Sequence, residues 1–349
     1  MRGSKKDAEK ELRKRLTALD EGRHVDASRM TVGEWLGAWL AAIKPEVSPK
    51  THHRYEELCR HYLIATFGTT PLQKLTSLAI QAAYAGWAEG GRRDGRPGGL
   101  APRTRRHIHR VLYSALTRAM EHEPPLLARN PAGAFRKRLP KVERKDMVTL
   151  TASQGVELLE ALRHSRMYWP VLLALATGMR RGEICALRWR SIDLDRGTVR
   201  VVESLEQVRK AIRFKPTKTD KARAIKLPAF AQDALRRWKR AQAEELLGLG
   251  IRQTGDTLVC GRADGEPHLP QSITFEFNRF MARLALPRVT FHGLRHSHAT
   301  QLLASGVHPK IAQERLGHST IGTTLDLYSH VTDTMQDDAA AKLNAAWSG

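Results

Sequence analysis

Apolar residues recur at helical spacing through most of the chain. Tyr55, Leu58, Tyr62 and Leu63 form one stripe of an amphipathic helix, and Ile108, Val111, Leu112, Ala115 and Ala119 form another. Start and stop signals frame these stripes. Ser48 can cap a helix that opens on Pro49 and closes at Gly68, and a further helix is expected from about Ser77 to Glu89. The stretch 89–100 is rich in glycine and arginine, which predicts a mobile basic loop before a helix over 101–122. Together these elements predict a helical unit over 29–136.

The pattern changes at 136–147, RKRLPKVERKDM, which is basic, contains proline and has no apolar period. Residues 137–149 therefore read as a linker. Thr151 then opens a helix, and MYWPVLLALATG is apolar all round, which predicts a helix at the centre of a second core over 150–334. From Gly197 the chain is rich in Val and Ile with turn residues between, as in a small antiparallel sheet, and helices resume near Ala229. The expected fold class is mainly α with a small antiparallel β-sheet. Ile321, Thr324, Leu325 and Tyr328 form a stripe directed at the core. Met335, Ala339, Leu343 and Trp347 recur every four residues over 335–349, with Asp337 and Asp338 at the favourable N-terminal end of a helix. At the other end, KKDAEKELRKRLTALDEG alternates charge at helical spacing and predicts a short solvated helix within 1–28.

Charge narrows the class of partner. The chain carries 58 Lys and Arg against 36 Asp and Glu, a formal charge of +22, which suggests a polyanion such as nucleic acid or an acidic membrane surface. The longest apolar stretch, WPVLLALATGM, is far shorter than the roughly 20 residues that span a bilayer. The N-terminus lacks the apolar core of a signal peptide, so a cytoplasmic protein with no membrane role is expected. Cys59, Cys185 and Cys260 are too widely spaced for a disulfide framework or a zinc ribbon. The polar face of the 101–122 helix carries Arg103, Arg105, Arg106, His107 and Arg110. A solvated face explains these residues as well as a DNA-facing one does. The overall charge and the neighbouring basic loop make the four arginines candidates for DNA contact.

Four stretches of the second unit hold polar residues that a helical core does not need. In ATGMRRGEICALRW, Gly178 ends the apolar helix, and Arg180 stands three residues before Glu183, close enough for the carboxylate to hold an arginine. In PTKTDKARAIKLP, Lys218 lies near the tip of a turn between strands. In TFHGLRHSHATQLLASG, His292 and Arg295 are three apart on a helix whose apolar face includes Leu294, Leu302 and Leu303. His292 and His296 have the spacing of helical zinc ligands, but without the glutamate of His-Glu-x-x-His or a nearby cysteine no metal is expected. In LGHSTIGTTLDLYSH, His318 follows Gly317, with Tyr328 ten positions later. Two arginines can grip the non-bridging oxygens of a phosphodiester, and histidines can donate further hydrogen bonds. Such a set stabilises a pentacoordinate phosphorus transition state. A tyrosine of pKa about 10 needs that neighbourhood to act as a nucleophile, and a lysine can protonate the departing oxygen.

Taken jointly, TGMRRGE with ALRW, the lysine of TKT, HGLRHSHAT and LGHSTIGTTLDLYSH resemble the tyrosine recombinase (phage integrase) family in order and spacing. The resemblance covers roughly 150–335, and the preceding helical unit is similar to the family's SAM-like core-binding domain. It implies a C-shaped clamp on double-stranded DNA attachment sites, with Tyr328 as nucleophile in a 3′-phosphotyrosyl intermediate. It further implies Arg180 and Arg295 as the phosphate clamp, His292 and His318 in support, Lys218 as general acid and Glu183 as orienter. No cofactor is implied. The expected assembly is a homotetramer that resolves a Holliday junction in integrating or excising a mobile element such as a prophage, on the host nucleoid. An accessory DNA-bending or directionality factor is a further partner of such enzymes. Segment 1–28 would be a remnant of an arm-site-binding domain or a linker, and 335–349 would dock on a neighbouring protomer or on its own unit. A type IB topoisomerase and a regulator that kept the fold without catalysis are the rival readings.

Overall fold

The computed structural model describes residues 9, 13, 25–92, 95–135, 139–143, 147–216, 222–325, 340–341 and 343–348, the side chains of 323 and 324 excepted. The chain divides into two compact units, Met1–Arg144 and Lys145–Gly349.

The first unit is built from helices α1 (Val32–Ile43), α2 (Pro49–Leu58), α3 (Ile64–Phe67), α4 (Ser77–Glu89) and α5 (Pro102–Met120). Thr31 and Glu34 start α1 with a reciprocal cap: the Glu34 N–H donates to the Thr31 hydroxyl, and the Thr31 N–H donates to Glu34 Oε2 at 2.7 Å. Ser48 caps α2 ahead of Pro49, accepting from the Thr51 N–H. The helix expected to run regularly to Gly68 instead contains a π turn, Cys59–Leu63, between α2 and α3. Leu58 and Leu63 are five apart and would diverge on a regular helix. The wider π turn lets both enter the core with Cys59 and Phe67. From α5 the core takes Ile108, Val111, Leu112, Ala115, Leu116 and Ala119, and the Trp35 indole N–H donates to the Ala115 carbonyl at 2.9 Å. The loop expected to be mobile is closed at its base, where Gly91 pairs with Gly99 and the Leu100 N–H donates to Trp87 O. A Cβ on Gly99 would stand 1.8 Å from the Ala88 oxygen, so only glycine permits that closure.

The second unit contains α6 (Ala152–Ala161), α7 (Tyr168–Thr177), α8 (Arg181–Ala186), α9 (Ala229–Gly248), α10 (Pro270–Met281), α11 (Phe291–Ala304), α12 (Pro309–Leu316) and α13 (Ile321–Leu325). The single small sheet expected proves to be two. Strands β1 (Ile192–Asp193), β2 (Thr198–Val201) and β5 (Arg223–Lys226) form one antiparallel sheet in the order β1-β2-β5, and β3 (Glu203–Val208) pairs with β4 (Ala211–Pro216) as a separate hairpin. The tight turn of that hairpin is at Arg209, whose φ is 54°. The stretch after β4, expected as a turn between strands, therefore connects two sheets, and Lys218 within it lies outside the described residues.

Helix α7 is buried along most of its length and packs against α11. Trp169 of α7 stacks on Trp238 of α9, with centroids 4.5 Å apart. A smaller apolar cluster of Ala299, Leu303, Ala312 and Leu316 joins α11 to α12. The stripe expected to direct Ile321 and Leu325 into a core does not do so. Both side chains are exposed, at 41% and 45%, because Ala312 and Leu316 already close that cluster. Residues 340–341 and 343–347 are helical, and Leu343 and Trp347 are also exposed rather than packed on their own unit. Tyr328, Met335, Asp337, Asp338 and Ala339 lie outside the described residues. Among the described residues, no helix is long and apolar enough to cross a membrane.

Candidate active site

Gly178 makes the first turn of the site. It ends α7 in the left-handed region at φ 66°, and a Cβ there would come within 2.6 Å of the His298 ring and 2.7 Å of Leu316. The chain can therefore reverse at once, placing Met179 in the core and Arg180 at the start of α8. Glu183, one turn into α8, is 3% exposed and receives the Arg180 N–H at Oε2 and the Arg180 guanidinium at Oε1, both at 2.9 Å. The i, i+3 pairing expected from sequence is present, and it has a second partner. Arg223 of β5 donates Nη1 to Glu183 Oε1 at 3.1 Å and Nη2 to Oε2 at 2.6 Å, a two-toothed grip. Burial works to raise the Glu183 carboxyl, but the bonds from Arg223 and then Arg180 outweigh it and hold it below the usual carboxylate range.

The C-terminal turn of α12 closes the site from the other side. Its last carbonyls each accept from a different arginine. Arg223 Nε donates to Arg315 O at 2.9 Å, Arg295 Nη2 to Leu316 O at 2.7 Å, and Arg180 Nη2 to Gly317 O at 2.7 Å. These oxygens are the ones a helix leaves without intrahelical partners, and they carry the negative end of its dipole. Gly317, at φ 66°, turns the chain out of α12 so that His318 follows directly. Arg295 is 3% exposed, and its other terminal nitrogen donates to Gly178 O at 2.6 Å. Burial pulls its guanidinium down to about 9, helped by the neighbouring Arg180.

Arg180, Arg295, His292 and His318 thus gather within electrostatic reach of one another. Burial, with the charges of Arg295 and Arg180 and the neighbouring His296 and His292, depresses His318 to about 4. His292 is likewise depressed to about 4, by burial, His296, Arg295, Arg180 and Arg181 in that order. Both imidazoles are neutral near pH 7 beside cationic guanidinium groups, so the cluster is organised for an anion. Its donors are fixed by backbone carbonyls before any ligand arrives. The His292 and His296 rings meet edge to face at 4.9 Å.

Four of the six chemical residues expected from sequence are therefore together, with Glu183 beneath them. Lys218 and Tyr328 lie outside the described residues, and Tyr328 follows α13 by three positions. Sequence reasoning missed Arg223, Arg181 and Arg315. Arg223 had a signal: it alternates with Ile225, a buried residue of β5, and an arginine at an inward strand position calls for a buried carboxylate. Arg315 donates to His298 Nε2, Lys226 O and Ala176 O, fixing α12 to the end of α7 and to β5. In the first unit, Arg103, Arg106 and Arg110 of α5 are exposed, whereas Arg105 is partly buried and donates Nε to Leu100 O.

Residues 148–335 match the sequence profile of the phage integrase family, and residues 31–88 match that of the phage integrase N-terminal SAM-like domain. A tyrosine recombinase XerC-like protein of Caldanaerobacter subterraneus subsp. tengcongensis is 26% identical over 362 residues, which cover 98% of this chain and 90% of that protein. Among solved structures, the Tn1549 transposon integrase in complex with a circular intermediate DNA superposes with a TM-score of 0.73 at 22% identity, covering 90% of this chain and 99% of that one. A lambda integrase tetramer bound to a Holliday junction gives 0.62 at 22% identity, covering 87% and 81%. The last two are likenesses of fold.

Proposed function

This chain belongs to the phage integrase family of tyrosine site-specific recombinases, and we propose that it cuts and rejoins DNA at the attachment sites of a mobile element through a 3′-phosphotyrosyl intermediate. The observation that carries this reading is the convergence of Arg180, Arg295, His292 and His318 on the C-terminal turn of α12, just ahead of the segment that bears Tyr328. Arg180 and Arg295 clamp the non-bridging oxygens of the scissile phosphate, each with N–H hydrogens left over from its carbonyl bonds. The neutral imidazoles of His292 and His318 donate to the same oxygens without adding repulsion to the two arginines. Glu183 orients Arg180.

The Tyr328 hydroxyl gives up its proton to solvent as its oxygen attacks phosphorus, the bond to the 5′-oxygen breaks, and Lys218 gives that oxygen its proton. The free 5′-hydroxyl of a partner strand then attacks the phosphotyrosine, reforming a phosphodiester and releasing the tyrosine. Because the ester stores the bond energy, exchange runs without ATP and in the presence of EDTA. Exchange of the strands in two pairs passes through a Holliday junction, and the tetrameric likeness to lambda integrase supports assembly of four copies on DNA. Membership of a mobile element is supported by the likeness to a transposon integrase. Duplex contacts from the first unit run through Arg103, Arg105, Arg106 and Arg110.

A plasmid carrying two copies of a candidate attachment site tests this reading. The expected result is excision or inversion between the sites in EDTA. Relaxation of the supercoil without exchange would mean a topoisomerase instead, and binding without cleavage would mean a regulator.

A further inference from the structure

Arg223 donates N–H bonds from all three guanidinium nitrogens: two to the buried Glu183 carboxylate and one to the Arg315 carbonyl. Its side chain is only 11% exposed, so it is spent on the protein and has no face for DNA. The two groups it holds are the two supports of the phosphate clamp. Glu183 fixes Arg180 from below, and the α12 turn beginning at Arg315 supplies the oxygens that hold Arg295 and Arg180 and leads into His318. Gly317 abuts the same guanidinium, whose Nη1 would lie 3.1 Å from a Cβ at that position. A displacement of Arg223 therefore reaches Arg180 by two routes at once. Lys226, on the same strand, gives its carbonyl to Arg315, so β5 and the α12 turn are tied at two points.

We propose that Arg223 is a positioning residue for strand cleavage, setting Arg180 through Glu183 and the His318 turn through the Arg315 carbonyl. This rests on the recombinase reading above. Loss of Arg223 shifts the clamp relative to the scissile phosphate while leaving the DNA-contacting surface of the first unit untouched. The rate of the chemical step then falls and the affinity for duplex does not. A merely structural residue would behave differently. Its loss would lower the fraction of competent molecules, and the survivors would react at the normal rate.

The test is a single-turnover measurement with the full chain in excess over a nicked suicide duplex that carries the core site cleaved in the plasmid assay. Covalent adduct is followed in time for wild type, Arg223→Gln and Arg223→Lys, with duplex affinity measured alongside. For Arg223→Gln the rate constant should fall about 100-fold, the scale of a sub-ångström to ångström misplacement, with full amplitude and unchanged affinity. Arg223→Lys keeps a cation against Glu183 but cannot bridge both oxygens and the Arg315 carbonyl, so it should be slower than wild type by about tenfold. If Arg223→Gln fails to fold, Arg223→Lys decides alone. A wild-type rate constant in Arg223→Lys, or a loss confined to amplitude in either variant, would overturn the proposal. Absence of adduct in the wild type would remove the recombinase reading itself, and the positioning role with it.

Discussion

Arg180 Nη2 donates to the carbonyl oxygen of Gly317 at 2.7 Å, joining the residue that starts α8 to the residue that precedes His318. The two are 137 positions apart in sequence. An arginine proposed to clamp phosphate is thereby held by the same turn that presents a proposed phosphate-binding histidine, so the clamp is organised by the fold rather than by the ligand.

Glu183 is the buried anion on which Arg180 and Arg223 depend, and its removal leaves two guanidinium groups without a counter-charge. Glu183→Gln is expected to lower stability by about 3–5 kcal/mol, the cost of breaking a buried pair on one side. Urea denaturation of the two proteins at neutral pH measures it. A loss below about 1 kcal/mol, the scale of an exposed pair, would contradict the burial of this contact.

Gly178 needs a left-handed backbone and has no room for a side chain against His298 and Leu316. Gly178→Ala should cost about 1–3 kcal/mol from backbone strain, with further loss if His298 is displaced. Since Gly178 O also accepts from Arg295, adduct formation should fall together with the melting temperature.

Protonation of His298 should destabilise the second unit in acid. Its Nδ1 sits 2.7 Å from Leu175 O, which assigns the ring proton there and leaves Nε2 to accept from Arg315. Burial, against the Leu175 bond and with the charges of Arg315 and Arg295, depresses it to about 4. The unfolded chain therefore binds more protons than the folded one between that value and the ordinary histidine pKa of about 6.5. Stability is full above that window and declines as pH falls through it, on the order of 3 kcal/mol by its lower end. Urea midpoints from pH 7.5 down to pH 4.5 check the sign, and His298→Gln should remove its share of the slope while the shares of His292 and His318, also depressed to about 4, remain.

The arginines of α5 should differ in their contribution to DNA binding. Arg106 and Arg110 are exposed, so replacing either by glutamine should reduce the dependence of log affinity on log salt by about one phosphate contact. Arg105 is tied to Leu100 O and should contribute less. Fluorescence anisotropy of a labelled duplex across a salt series reads each slope, and equal slopes for all three variants would contradict the assignment.

Much of the site was legible in sequence because its chemistry is local. Gly178, Arg180 and Glu183 lie within one turn of chain, and His292 and Arg295 share a helix face. The apolar run that became α7 announced a central helix for the same reason. What sequence hid was pairing at long range. Nothing near Arg223 shows that its carboxylate lies 40 residues away, and no composition signal reveals that the carbonyls of Arg315, Leu316 and Gly317 each take an arginine. The two-sheet arrangement was hidden for a related reason: alternation marks strands but not which strands pair. The stripe of Ile321 and Leu325 misled because spacing describes a face, and a face needs a partner that Leu316 had already taken.

The most direct measurement is to incubate the full chain with a nicked suicide duplex bearing its attachment site, denature in detergent, and map the peptide that remains joined to DNA. The recombinase reading predicts a 3′-phosphotyrosyl linkage at Tyr328, with none formed by Tyr328→Phe. A covalent adduct that persists in Tyr328→Phe, or one mapped to another residue, would contradict it.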